Sequence, residues 1–195
     1  MIEEKRYAKK YLSNTQEYMT PQPLYQLILD FMCIDEFTSD IACSNMNIPA
    51  KYYYTKDGKF SKSDFFFKLS DDTGLNGNFG EGVHFCNPPF RETRHFLKTI
   101  ASEIKKEPKS KFWCILPVDR FETKYYWDYI LKNPNCFFVP LQKQGFLVPS
   151  NPLDKPVPSV KVMYAYFGTD AQETAESFHE IYGEYPVVYN KLYLN

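Results

Sequence analysis

With 195 residues and a mass of 23.0 kDa, the chain has the length of one domain carrying small elaborations. A hydrophobic fraction of 44% and a charged fraction of 24% exclude a disordered chain and suit a soluble globular one. A net charge of −1 excludes a protein that holds nucleic acid through its overall field, so any phosphate contact must come from a local patch.

The first nineteen residues are polar and read as an N-terminal arm, leaving 20–195 as a single domain. Thr20-Pro21 opens a helix on which Leu24, Leu27, Ile28 and Phe31 recur at helical spacing. Thr20 is placed to cap it, and Pro21 sits where a missing N–H costs nothing. Residues 36–42 read as a short strand containing Asp40. Residues 44–70 alternate polar and aromatic stretches, with Tyr52-Tyr53-Tyr54 and Phe65-Phe66-Phe67. Four of the eight glycines fall within 71–82, which predicts a turn-rich loop. Residues 83–86 form a strand halted by Asn87-Pro88-Pro89-Phe90. An amphipathic helix over 93–106 presents Phe96, Leu97, Ile100 and Ile104. A buried strand over 112–116 and a helix over 122–132 follow. Strands are expected at 135–140, 145–149 and 160–167, a helix at 171–181 and a strand near 186–193. Pro149, Pro152, Pro156 and Pro158 mark a loop that is either a lid, a target-recognition loop or a rigid connection. This alternation is the grammar of an α/β sheet, in which ligands sit at the carboxyl ends of strands.

Neither metal nor membrane chemistry is announced. The five cysteines include no CxxC pair, and the three histidines form no HxxxH or HxH pattern, so no metal site is expected. The odd cysteine count suits a reducing cytoplasm. The opening residues lack the apolar core of a signal peptide, and the longest apolar run, 112–118, is too short to span a bilayer. A cytoplasmic protein is the expectation.

Asn87-Pro88-Pro89-Phe90, between a strand and a helix, is the segment richest in chemistry. Asn-Pro and Pro-Pro also punctuate ordinary turns. What distinguishes this one is its fit to a planar amine, such as the exocyclic N6 of adenine, whose lone pair is delocalised into the ring. The Asn87 side-chain oxygen and the Pro88 carbonyl can each accept one amine hydrogen and favour a pyramidal nitrogen. Pro89 keeps the corner rigid. Phe90 offers a face for a flipped base.

In these residues the chain resembles the phage-type, Dam-like DNA N6-adenine methyltransferases. Thr20-Pro21, Asp40-Ile41-Ala42-Cys43-Ser44-Asn45-Met46-Asn47, Tyr53-Tyr54-Thr55, Asp72-Thr73-Gly74-Leu75 and Asn87 to Phe90 stand in that family's order, followed by Ile115-Leu116-Pro117. The resemblance covers about 20–167. It implies a Rossmann-like methyltransferase sheet with helices on both faces and S-adenosylmethionine as cofactor. By it Thr20 and Pro21 lie at the methionine end, Asp40 and Ala42 at the end of the first strand, and Asp72 near the adenine moiety. It implies double-stranded DNA as partner, with a viral modifying enzyme in its host's cytoplasm as the setting. The small recognition region implies either a short target or a further partner chain. The departures are specific. No glycine-rich loop follows Asp40, residues are inserted between Tyr54 and Asp72, and Lys143-Gln144-Gly145-Phe146 stands where the family has Arg before Phe.

Arg91 and Arg94, beside the motif, are the candidates for phosphates of the target strand. Lys105-Lys106-Glu107-Pro108-Lys109-Ser110-Lys111 reads as a solvated helix end followed by a loop, where cations are favoured. His84 and His95 read as structural. Two alternatives stay open. One is methylation of another planar amine (N4-cytosine, an RNA base or a glutamine amide), and the other is a non-catalytic binding module on the same scaffold.

Overall fold

The computed structural model describes residues 19–44, 47–62, 68–142, 144–146 and 159–189. The N-terminal arm before Met19, Phe65-Phe66-Phe67, the proline-rich loop and the end of the last expected strand lie outside the described residues.

In chain order the elements are α1 (Gln22–Met32), β1 (Phe37–Asp40), β2 (Ala50–Thr55), β3 (Gly58–Ser61), β4 (Lys68–Ser70) and β5 (Gly82–Cys86). Then come α2 (Thr93–Lys106), β6 (Ser110–Pro117) and α3, an α turn (Lys124–Tyr126) continued by a π turn (Trp127–Leu131). β7 (Cys136–Pro140), β8 (Gln144–Gly145), β9 (Ser159–Val160), β10 (Val162–Phe167), α4 (Ala171–Ile181) and β11 (Val188–Tyr189) complete the described chain. Nine strands make one mixed sheet in the order β11-β7-β10-β6-β5-β1-β2-β3-β4, and β8 pairs with β9 in a separate ribbon.

The buried strands deal their side chains alternately to two cores, as a pleated backbone must. Trp113 and Ile115 of β6, with Tyr164 and Tyr166 of β10, face α1 and α4. Phe112, Cys114 and Leu116, with Met163, Ala165 and Phe167, face α2 and α3. A strand covered on both faces needs apolar residues at every position, which is why 112–116 and 162–167 read as unbroken apolar runs. The molecule is therefore an α/β structure with helices on both faces of the sheet.

The sheet is less parallel than the expected architecture. Five of its eight pairings are antiparallel, and only β1 with β2, β1 with β5 and β5 with β6 run parallel. Part of the difference is the insertion after Tyr54, which adds β3 and β4 antiparallel beyond β2, where no strands were expected. Its turn depends on Gly58 at φ 133°, where a Cβ would overlap the Ser70 carbonyl. α1 departs in a smaller way. Pro21, not Thr20, stands at the N-cap, so no side chain caps the helix, and the Thr20 hydroxyl accepts from Asn87 Nδ2 instead.

Phe178 of α4 is fully buried, with its ring against Trp113, Phe31, Phe137, Tyr182 and Tyr185. Phe178→Ala leaves a cavity where five rings meet and is expected to cost about 3–5 kcal/mol. Urea unfolding checks this: the midpoint should fall while the slope stays unchanged.

Candidate active site

β1 lies between two parallel partners. The chain leaves it for β2 on one side and later enters β5 on the other. Where strand order reverses, the segments leaving the carboxyl ends diverge and open a crevice. A cleft of about 630 Å³ stands there, and Asp40, Tyr54, Gly74, Asn87, Pro88 and Phe90 are among its lining. Asp40 ends β1 and Asn87 follows the last residue of β5.

The Asn-Pro-Pro-Phe corner is fixed from several sides. Asn87 Nδ2 donates to Thr20 Oγ1 at 3.0 Å, which leaves Oδ1 as the acceptor of that amide. Asn47 Nδ2 donates to the Thr20 carbonyl at 2.8 Å, so two asparagines hold one buried threonine. Beyond the corner, the Glu92 N–H donates to the Pro89 carbonyl at 2.8 Å. The buried Thr93 hydroxyl donates to the Phe90 carbonyl at 3.0 Å. Pro88 is buried, while Pro89 and Phe90 are half-buried at the rim.

Asp40 is 5% exposed, and burial pushes its carboxyl up to about 7 against the opposing hydrogen bond from the Ala42 N–H at 3.1 Å. The turn after it closes without glycine. The Ile41 N–H donates to the Phe85 carbonyl at 2.9 Å, and the Cys43 N–H to the Tyr54 carbonyl at 3.1 Å. Gly74 closes the cleft from above by close approach: a Cβ there would overlap the Ile41 carbonyl oxygen and crowd the Phe96 ring. Behind β1, His84 is fully buried between the Ser39 hydroxyl (2.8 Å) and the Gly80 carbonyl (3.0 Å). The carbonyl requires an Nε2–H, so Nδ1 accepts from Ser39. Burial pushes this imidazole down to about 4, and it stays neutral near pH 7.

Of the sequence-derived candidates, Thr20, Asp40, Ala42, Asn87, Pro88, Pro89, Phe90 and Arg91 share this cleft. Pro21 and Asp72 lie outside its lining, and the Asp72 carboxylate accepts from the Ser70 hydroxyl at 2.8 Å. Arg94 is exposed on α2, also outside the cleft. The structure adds Lys56, Asp57 and Phe60 from the β2–β3 hairpin, Phe96 from α2 and the buried Phe146. Phe146 follows Gly145 in a stretch already matched to a family position. The hairpin residues carried no signal of their own. Among the described residues no three histidine, cysteine, aspartate or glutamate side chains are grouped to hold a metal. Nor is any described helix long and apolar enough to cross a membrane. No protein-family model and no curated protein matches the chain.

Two outcomes follow from this geometry. Asp40 has a folded pKa near 7 against an ordinary value of 3.8, so its ionisation costs nothing below the unfolded value. The cost grows as pH rises from about 4 to about 7 and is complete above that window. Asp40→Asn keeps the acceptor for Ala42. Its melting temperature should match wild type near pH 3.5 and exceed it increasingly up to pH 8, checked by thermal melts across that range. Gly74→Ala must displace the turn from Ile41, and an expected loss of about 1–3 kcal/mol would be read from urea midpoints.

Proposed function

We propose that the chain is an S-adenosylmethionine-dependent methyltransferase of Rossmann-like fold acting on the N6 amine of adenine in DNA. The observation that carries this reading is the placement of Asn87-Pro88 and Asp40 on one cleft. They stand at the carboxyl ends of the two parallel strands where strand order reverses. Helices on both faces of the sheet and the parallel centre β2-β1-β5-β6 support the fold assignment.

The residues present fit the cofactor. The cleft has the size of a small-molecule site, and apolar and polar side chains both line it. Gly74 lets the turn at 72–75 pack directly on the Ile41 carbonyl at the cleft wall. The buried Asp40 carboxyl regains its charge beside a cationic ligand. Thr20 would hold the methionine end, Asp40 and Ala42 the portion at the end of β1, and the turn at 72–75 the adenine moiety. When bound, S-adenosylmethionine supplies an already activated methyl group.

The chain's own residues then have a positioning task. Asn87 Oδ1 and the Pro88 carbonyl each accept one N6 hydrogen, which turns the nitrogen lone pair toward the cleft. The Thr20 bond prevents the Asn87 amide from turning its donor toward the substrate. Phe90 stacks on the extruded base at the rim. Pro88 and Pro89 keep the two acceptors in place without spending binding energy on ordering them.

Transfer of a labelled methyl group from S-adenosylmethionine to unmethylated duplex DNA tests this reading, with the product digested to nucleosides. Wild type should yield N6-methyladenine, and Asn87→Ala should lose on the order of 10²–10³ in rate. N4-methylcytosine instead would move the reading to another planar amine. A folded wild type that binds no cofactor and transfers nothing would leave the non-catalytic binding module.

A further inference from the structure

The cleft does not end at Glu92. A second groove of about 520 Å³ continues from it, sharing Leu75 and Glu92, and runs between α2 and the turn at 75–77. His95, Lys98, Ser102 and Lys106 form its α2 wall, with the Thr99 hydroxyl donating to the Leu75 carbonyl at 2.9 Å across it. Gly77 keeps the opposite wall low: it sits at φ 79°, and a Cβ there would crowd the Glu103 carboxylate.

The charge on this helix is one-sided. At about 100° per residue, Arg94, Lys98, Lys105 and Lys106 fall within about 120° of one another, Arg91 stands just before the helix, and all five are exposed. Glu103, which breaks the series, is buried; it accepts from the Asn78 N–H at 3.0 Å and faces Lys106 at 3.6 Å. Glu92 stands at the edge of the face, 2.9 Å from His95 and 3.8 Å from Arg91. Arg94, Lys98 and Lys105 make no ion pair among the described residues. In a chain of net charge −1, four cations on one helix face, with Arg91 just before it, are a local concentration of the kind phosphates require. Fourteen residues at 1.5 Å each give the face a length of about 21 Å, enough to run beside several successive phosphates of one strand.

We propose that this groove and the cationic face of α2 beside it seat the backbone of the nucleic-acid strand flanking the base held at Asn87. The inference rests on the proposed action at a base and adds the path of the strand: from the corner at Phe90, along α2, toward Lys105. Lys98 and Lys105 become phosphate-contacting residues, and Ser102 a polar contact within the groove. Such contacts position the duplex and carry no sequence information.

Fluorescence anisotropy with a labelled DNA duplex tests this across salt concentrations, with no cofactor present. The variants are Lys98→Glu/Lys105→Glu and, as a control of equal charge change per site, Lys51→Glu at the far end of β2. The double variant should bind at least tenfold more weakly and lower the salt slope by about 2, uniformly across duplex sequences. Lys51→Glu should do neither. Unchanged affinity and slope in the double variant, or no duplex binding by wild type, would overturn the proposal. Binding to phosphatidylserine vesicles but not to DNA, with the same dependence on Lys98 and Lys105, would overturn it in favour of a membrane surface. Because no transfer step enters the readout, groove-dependent binding without methylation would sink the enzyme reading alone. Methylation with groove-independent binding would sink this inference alone.

Discussion

β1 ends where the chain's paths on its two sides part, and the site hangs from that divergence. The strand is four residues long, with Phe37, Ser39 and Asp40 buried. Its short length is tolerable because both edges are paired with parallel strands, and such pairing forces the connecting segments away from the carboxyl end. Asp40 is thereby carried to the wall of the cleft while staying 5% exposed. The corner at Asn87 is set opposite by the neighbouring strand. Neither placement depends on loop conformation alone, because each residue is at or next to the end of a buried strand.

Burial at this point sets two ionisable groups against each other. Asp40 and His84 sit on adjacent strands, the first pushed up to about 7 and the second down to about 4. As pH falls from 6.5 toward 4, Asp40 contributes stability while His84 withdraws it, since the unfolded imidazole takes its proton first. The two slopes oppose each other across the same window, so the strand pair tolerates a shift in pH better than either group would alone. His84 also ties Ser39 of β1 to Gly80, so its neutral form belongs to the support beneath the cleft.

What the sequence disclosed depended on how local its cause was. α2 and α4 were legible because their apolar faces repeat at helical spacing, and β6 and β10 because strands covered on both sides need continuous apolar runs. The Asn-Pro-Pro-Phe corner was legible for the same reason: its rigidity is written in its own residues. β2 and β3 were not, because an edge hairpin of tyrosines, lysines and serines has neither period clearly. Thr20 reads locally as a cap, yet its hydroxyl is taken by an asparagine 67 positions away. Gly74 reads as a turn residue, whereas its need for a bare Cα comes from the Ile41 carbonyl, a contact no local pattern announces.

The absent glycine-rich loop has a physical meaning in this setting. Glycine-rich turns after a first strand serve phosphate ligands by leaving backbone N–H groups unpaired and pointing outward. Here three successive amides are already committed: Ile41 to Phe85, Ala42 to the Asp40 carboxyl and Cys43 to Tyr54. A turn whose donors are used internally has none of those three to present to a pyrophosphate. The cleft is thus built against dinucleotides and in favour of a ligand that is uncharged or cationic where it meets β1. S-adenosylmethionine, which carries no phosphate and bears positive charge, meets that condition.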